Sequence, residues 1–414
     1  MTERLIIQNF AGIQHIDIEI KQFNILIGPQ ASGKSICAKL LFYFKNITSE
    51  IIYVVGEPDY SQRNVEIQFK KRFLEYFPTI SWGKKYFLIR YENNNSFIEI
   101  TSSNTKEELI EISFSNDYTT VMSEFENNKF EIIPRYLLLE NMVMQRDRCL
   151  DIMKSQLGEF SLDFQLFIPA GRSIFAIVRR SIFSLVDRKI NFDPFLISFG
   201  SIYESVKQLQ SEFLQEIPNE EMKKLAEEIV CGKYVEYKDQ DFIEMADGRM
   251  VSVATSSSGQ QETLPLTMLL RTLPKISGFN DRKTVYIEEP EAHIFPNAQR
   301  KLVELIAAAF NRHPGETQFC ITTHSPYVLT AINNLLQAGE AYGLDLREDN
   351  LRKLEKLVPK TIALNAEDLV VYSITSEGVE NILSEDLGLI DTNIIDEVSN
   401  NLSIEFGELL DLVN

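Results

Sequence analysis

Eight consecutive residues, Gly28-Pro29-Gln30-Ala31-Ser32-Gly33-Lys34-Ser35, have the spacing G-x-x-x-x-G-K-S. Glycines at both ends let successive backbone N–H groups close around an anion, and a helix starting there adds the partial positive charge of its N-terminus. In such a loop Lys34 reaches the β- and γ-phosphates of a nucleotide and the Ser35 hydroxyl ligates Mg²⁺. A phosphate loop also needs acidic partners for the metal and the attacking water. Glu288 and Glu289 supply them, closing the apolar run Thr284-Val285-Tyr286-Ile287. Because side chains alternate along a strand, the two carboxylates are expected to point differently, one toward Mg²⁺ through water and the other toward the γ-phosphate as general base. His324 ends the next such run, Gln318 to Thr323, where it can hydrogen-bond the γ-phosphate or the water. A fourth piece, Ser256-Ser257-Ser258-Gly259-Gln260, precedes the apolar helix Leu264 to Leu273 and reads as another Ser/Gly anion cup.

These residues need strands that end where helices begin. Asn24-Ile25-Leu26-Ile27 is a strand before the loop, and Lys34 to about Lys45 is a helix after it. Upstream, Arg4 to Phe10 and Ile13 to Ile20 alternate apolar and polar residues around Gly12, the pattern of a half-buried hairpin. Three further runs, Tyr86 to Tyr91, Ser96 to Ile100 and Leu109 to Phe114, form an antiparallel meander. From Phe125 to Ile229 the periodicity is helical, with Phe164 to Pro169 as a strand-like interruption, and short strands return at Tyr234 to Tyr237 and Met250 to Val253. A helix is expected from Asn297 to Asn311, a strand pair near Thr361 to Leu364 and Asp368 to Ile374, and then acidic helices such as Ile395 to Val413. The resulting division is 1–124 for a first lobe, 125–230 for a helical insertion, 231–337 for a second lobe and 338–414 for a C-terminal α/β tail open to a partner.

At 414 residues the chain can bury a large core. No apolar run reaches the ~20 residues of a spanning helix, and Met1 to Arg4 lacks the basic start of a secretory signal, so a cytoplasmic protein without a membrane partner is expected. Cys37, Cys149, Cys231 and Cys320 lie far apart and read as small buried apolar residues rather than a zinc site or a disulfide framework. The net charge of −19 repels nucleic acid on average, so direct DNA binding would need local basic patches. Lys70-Lys71-Arg72 and the stretch from Arg172 to Lys189 are the two candidates.

Together the four pieces resemble the ABC-type ATPases, in the branch that holds the SMC, RecF and OLD-like proteins. Walker A matches Gly28 to Ser35, the signature motif Ser256 to Gln260, Walker B Val285 to Glu289, and the switch histidine His324. The strings Glu288-Glu289-Pro290-Glu291-Ala292-His293 and Thr322-Thr323-His324-Ser325-Pro326 are similar to those of OLD-like ATPases of bacterial anti-phage systems such as Septu, PARIS and retron-linked ones. Ile168-Pro169-Ala170-Gly171-Arg172-Ser173 also resembles a motif of that group. The resemblance implies an α/β ATPase head, with a mixed central sheet carrying the phosphate loop, an N-terminal antiparallel β-subdomain and an inserted helical lobe. It implies ATP and Mg²⁺, with nucleotide contacts from Gly28 to Ser35 and Cys37, and metal contacts from Ser35 and Glu288. Catalysis would rest on Glu289, His324 and Lys34. It further implies a head-to-tail homodimer in which Ser257, Ser258, Gly259 and Gln260 of one subunit cap the γ-phosphate held by the other. The sequence departs from the pattern at Ser256 and Ser258, where transport ATPases carry Leu and Gly, and at Glu288, where many relatives carry Asp. The roughly eighty residues after Leu336 are too few for the Toprim nuclease of OLD proteins, so the effector, a nuclease or toxin, is expected to be a separate chain. The alternative implied by the same branch is a DNA-repair or chromosome clamp that binds DNA directly.

Overall fold

The computed structural model describes residues 3–55, 61–83, 86–102, 109–127, 149–158, 163–175, 193–213, 220–238, 240–276, 282–376, 378–391, 404–406 and 409. Strands β1 (Glu3–Phe10) and β2 (Ile13–Ile20) form the expected hairpin. Beside it lie β4 (Leu88–Asn93), β5 (Ser96–Ser102) and β6 (Ile110–Phe114), giving an antiparallel sheet of order β2-β1-β4-β5-β6. Between the hairpin and the meander, β3 (Phe23–Ile27) leaves for a second sheet and runs into helix α1 (Lys34–Lys45).

That second sheet carries the chemistry. It has the order β14-β13-β3-β12-β11-β7, built from β7 (Phe164–Ile168), β11 (Lys283–Glu288), β12 (Thr317–Thr323), β13 (Leu369–Ile374) and β14 (Val379–Asn381). All neighbours are parallel except β14, so five strands deliver their C-terminal ends to one edge. Parallel strands covered on both faces read as continuous apolar runs, and all five residues of β3 are buried. Period-two alternation then divides them. Leu26, Phe167, Tyr286, Cys320 and Tyr372 join the core shared with α1 and the antiparallel sheet. Ile25, Leu166, Val285, Ile321 and Val371 face the opposite core. Helices α5 (Pro194–Phe213), α6 (Glu220–Val230), α7 (Ser258–Thr272), α8 (Pro296–Asn311) and α9 (Pro326–Gly343) supply that second core. Helices α2 (Ile47–Val55), α3 (Gln62–Tyr76) and α4 (Asn116–Asn127) belong to the first half of the chain. A small antiparallel sheet, β8 (Lys233–Tyr237), β9 (Gln240–Glu244) and β10 (Met250–Ser252), precedes α7. The α/β architecture expected from the sequence, with a mixed central sheet and an N-terminal antiparallel sheet, is therefore present.

Several particulars differ from expectation. The run at Phe164, expected as a strand-like interruption among helices, is β7, which pairs with β11 at the sheet edge, and α5 and α6 pack on the sheet. Thr361 to Leu364, expected as a strand, is a 3-10 turn, Lys360–Ile362. The Asn311 amide takes the carbonyls of Thr361 and Ala363, so no ladder forms there. The partner of β13 on that side is β14 instead. Cys231 is exposed, in a left-handed conformation (φ 57°) after α6, whereas the other three cysteines are buried. Arg72 pairs with Glu50 while staying partly exposed, and Arg172 is fully buried, which removes Arg172 from any surface patch. Residues 176–192 and most of the acidic C-terminal helix expected from Ile395 to Val413 lie outside the described residues.

The C-terminal strand touches the phosphate loop directly. A Cβ on Gly28 would lie 2.0 Å from the Ile374 carbonyl oxygen, so the loop's first residue can only be glycine. Gly28→Ala is expected to cost about 2 kcal/mol or more, read as a fall in the thermal midpoint. An unchanged midpoint would mean that the two strand ends are not held together.

Candidate functional site

The order β3-β12-β11 sets three strand exits side by side, and each carries one piece of the expected chemistry. Leaving β3, the loop Gly28–Gly33 folds over the Lys34 ammonium. Lys34 Nζ donates to the Gly28 carbonyl (3.0 Å), the Pro29 carbonyl (2.7 Å) and Ser32 Oγ (3.3 Å), and the residue is 4% exposed. Burial lowers the Lys34 pKa, opposed by the nearby carboxylates of Glu289 and Glu291. Ile13 of the hairpin closes the loop from the other side. A Cβ on Gly33, at φ 103°, would meet its side chain at 2.6 Å.

Leaving β11, Glu288 is the last strand residue and is 6% exposed. The Ala170 N–H donates to its Oε2 (3.2 Å), and the Ser35 hydroxyl lies near enough to act on its pKa. Burial raises the Glu288 pKa; Lys39, Ser35 and Ala170 act against the rise. Among the described residues no group of three or more His, Cys, Asp or Glu side chains could hold a metal ion alone. A hydroxyl near a buried carboxylate does fit Mg²⁺ arriving with a nucleotide, since that ion usually keeps waters and phosphates and takes only one or two protein ligands.

Glu289 does not continue the strand alternation. Its backbone turns into the left-handed region (φ 43°), and its N–H bonds the Thr322 carbonyl at 2.9 Å. The turn carries Glu289 Oε1 to 3.0 Å from His324 Nε2 at the exit of β12. Glu291, quoted in the sequence string but given no role there, holds that histidine's backbone. Its Oε1 accepts from the His324 N–H (2.7 Å) and from Thr323 Oγ1 (2.8 Å). The next turn is fixed by Ser325, whose hydroxyl donates to Gln299 Oε1 at 2.6 Å.

Arg172 was legible only as part of a string. It sits under the β11 exit with its guanidinium fully buried, donating to the carbonyls of Glu262 (2.9 Å), Glu288 (3.0 Å), Glu289 (3.2 Å) and Pro169 (3.2 Å). Burial lowers its pKa, and Glu262, Glu291, Glu288 and Glu289 raise it.

Cys37 departs from its expected role. It is fully buried in the first core, with its thiol pushed up to about 12 by burial, and its N–H closes the first helical turn on the Gly33 carbonyl. Its side chain packs in that core, beneath α1. The signature residues also stand apart. Ser257 and Gln260 form a reciprocal capping box at the start of α7, and Gln260 Nε2 donates to the Val230 carbonyl at 2.9 Å. Ser257 and Ser258 are exposed, and no hydrogen bond among the described residues joins this cap to Gly28–Ser35. Beside the loop lies a cavity of about 530 Å³, between the hairpin turn Gly12–Ile16, Pro29–Ser32 and the turn joining β13 to β14.

Residues 172–329 match the family model described as AAA ATPase domain. The matched stretch contains the α7 cap, Glu288, Glu289 and His324, and it begins after the phosphate loop. The sequence matches no curated protein. Among solved structures, an SMC head bound to the C-winged helix domain of ScpA is similar over 92% of this chain and 96% of that one, with TM-score 0.41 and 12% identity. The Smc head with an extended coiled coil bound to the C-terminal domain of ScpA, derived from Pyrococcus furiosus, gives 96%, 99%, 0.39 and 12%. The recombination mediator protein RecF-ATPrS gives 92%, 98%, 0.36 and 13%. No helix among the described residues is long and apolar enough to cross a membrane.

Proposed function

We propose that this chain binds and hydrolyses ATP as a nucleotide-gated switch of the ABC type, in the SMC, RecF and OLD-like branch. The observation that carries the reading is the convergence of Lys34, Ser35, Glu288, Glu289 and His324 on adjacent strand exits. Lys34 and the loop N–H groups bind the β- and γ-phosphates, and the base and ribose lie in the cavity beside Pro29–Ser32. Ser35 and Glu288 hold Mg²⁺, which neutralises charge on the phosphates when bound. Glu289 orients the attacking water and takes its proton. His324, hydrogen-bonded to that carboxylate, holds it in position and senses the γ-phosphate.

The exposed Ser257–Gly259 cap serves a second copy of the chain, because an outward-facing helix N-terminus binds anions and this one has no partner role in its own phosphate loop. ATP thus becomes part of a head-to-tail dimer interface, and hydrolysis removes the charge gripped from both sides. In the cell the switch works in the cytoplasm in anti-phage defence, holding or releasing a separate nuclease or toxin. Of the basic residues the DNA-clamp alternative would use, Arg172 is fully buried and Arg72 is paired with Glu50.

The test is mass in solution together with phosphate release. The purified chain is expected to release phosphate, and to double its mass with ATP and Mg²⁺ but not with ADP. A monomer under all conditions removes the dimer, and absent phosphate release leaves a non-hydrolysing scaffold. Strong salt-dependent DNA binding by the chain alone would favour the clamp.

A further inference from the structure

Helix α7 begins with the signature cap and is tied to the β11 exit at two points. Gly259 lies so close to the turn after β11 that a Cβ there would stand 2.8 Å from the His293 carbonyl oxygen. One turn further on, Glu262 meets Arg172: its carbonyl accepts from Nε at 2.9 Å, and its Oε2 lies 3.5 Å from the same atom. The same guanidinium holds the carbonyls of both Glu288 and Glu289. A planar fork with five N–H groups serves four carbonyls at once, one more than the three N–H groups of a lysine ammonium could reach.

We propose that Arg172 is a positioning residue that locks the signature helix to the carboxylate strand end, so that the half-site offered to a second copy and the half-site retained in the chain move as one body. The assignment rests on the ATPase reading above. Arg172 touches neither loop nor nucleotide; it acts through the backbone of Glu288 and Glu289 and through α7. Its energetic sense follows from burial. An arginine with no exposed surface needs its donors and its charge matched; four carbonyls take four of its N–H groups and the Glu262 carboxylate, 3.5 Å from Nε, balances the charge, and both hold only while the three elements keep their mutual geometry. A shift of α7 relative to β11 would strand either the guanidinium or the carbonyls.

The experiment compares wild type with Arg172→Lys and Glu262→Gln for kcat, KM for ATP, equilibrium affinity for a fluorescent ATP analogue, and thermal midpoint. Arg172→Lys is expected to lower kcat by at least about tenfold, as supporting residues of reacting groups commonly do, with analogue affinity within about twofold of wild type. Glu262→Gln should lower kcat in the same manner but less. The double variant should fall no further than Arg172→Lys alone, because Glu262→Gln acts only by removing the charge partner of that same guanidinium. Unchanged kcat in a folded Arg172→Lys protein overturns the proposal. So does a kcat loss matched by equal loss of nucleotide binding and of thermal midpoint, which is the mark of general structural support. If Arg172→Lys does not fold, Glu262→Gln carries the test, and an unchanged kcat there overturns it. A wild-type protein that neither binds nor hydrolyses ATP counts against the site reading rather than against Arg172.

Discussion

Glu289→Gln is expected to lower phosphate release by about 10²–10⁴-fold, the usual range for loss of a general base, while ATP affinity stays within a few-fold of wild type. The amide keeps the size of the carboxylate and can still hydrogen-bond His324 Nε2, now 3.0 Å from Glu289 Oε1, so the strand exits stay in register. What it loses is the ability to take the proton of the attacking water. Because Glu289 is held past the end of β11 by its left-handed backbone and by the Thr322 carbonyl, its position does not depend on its charge. The variant should therefore accumulate the ATP-bound form, visible as a persistent double-mass species with ATP and Mg²⁺. A rate near that of wild type would remove Glu289 from the chemistry and leave the water to another group.

Glu288→Gln should separate stability from activity. Burial raises the Glu288 pKa above its value in the unfolded chain, so the folded protein holds that proton more tightly. The sign follows from linkage. The stability contributed by this group is complete below the unfolded value, near 4.5, and is lost as pH rises through the higher folded value. At neutral pH the wild type carries a buried carboxylate that the variant lacks. Without nucleotide, Glu288→Gln is expected to unfold at a higher temperature than wild type, and the gap should close as the solution is acidified. Hydrolysis, in contrast, should drop by about 10²-fold or more, because an amide is a poor ligand for Mg²⁺. Thermal unfolding across a pH series, set beside phosphate release, measures both. A variant less stable than wild type at neutral pH would show that Ser35, Lys39 and the Ala170 N–H more than offset the burial.

The parts of this molecule that could be read from sequence are those whose physics is local. The phosphate loop is set by residues within a few positions of one another, and α1 spans Lys34–Lys45 as the periodicity indicates. The hairpin and the meander were readable because alternation and polar turns fix them without reference to the rest of the chain. Where partners are remote, the same reasoning falls short. Phe164–Ile168 carries no mark that its neighbour is β11, more than a hundred residues later. Thr361 to Leu364 looks like a strand until Asn311 claims its carbonyls. Arg172 lies upstream of Arg179 and Arg180, where charge suggests a solvated face. Its burial is decided by carbonyls from distant segments that no local window contains. Glu291 was in plain view, but a third carboxylate after two others gives no sign that it serves the backbone of His324.

The pairing of β3 has a consequence for the making of the protein. Its two neighbours are β12 and β13, and the ring hydroxyl of Tyr372 reaches back to the Glu19 N–H across 353 positions of chain. While the polypeptide is being synthesised, the apolar segment Phe23–Ile27 waits with both edges unsatisfied until β12 has emerged from the ribosome, and with one edge unsatisfied until residues beyond 369 have followed. Contacts of such long separation are slow to close. Until then this segment is one that chaperones must shield from neighbouring nascent chains. Polypeptides released before β13 would lack one whole flank of the nucleotide strand.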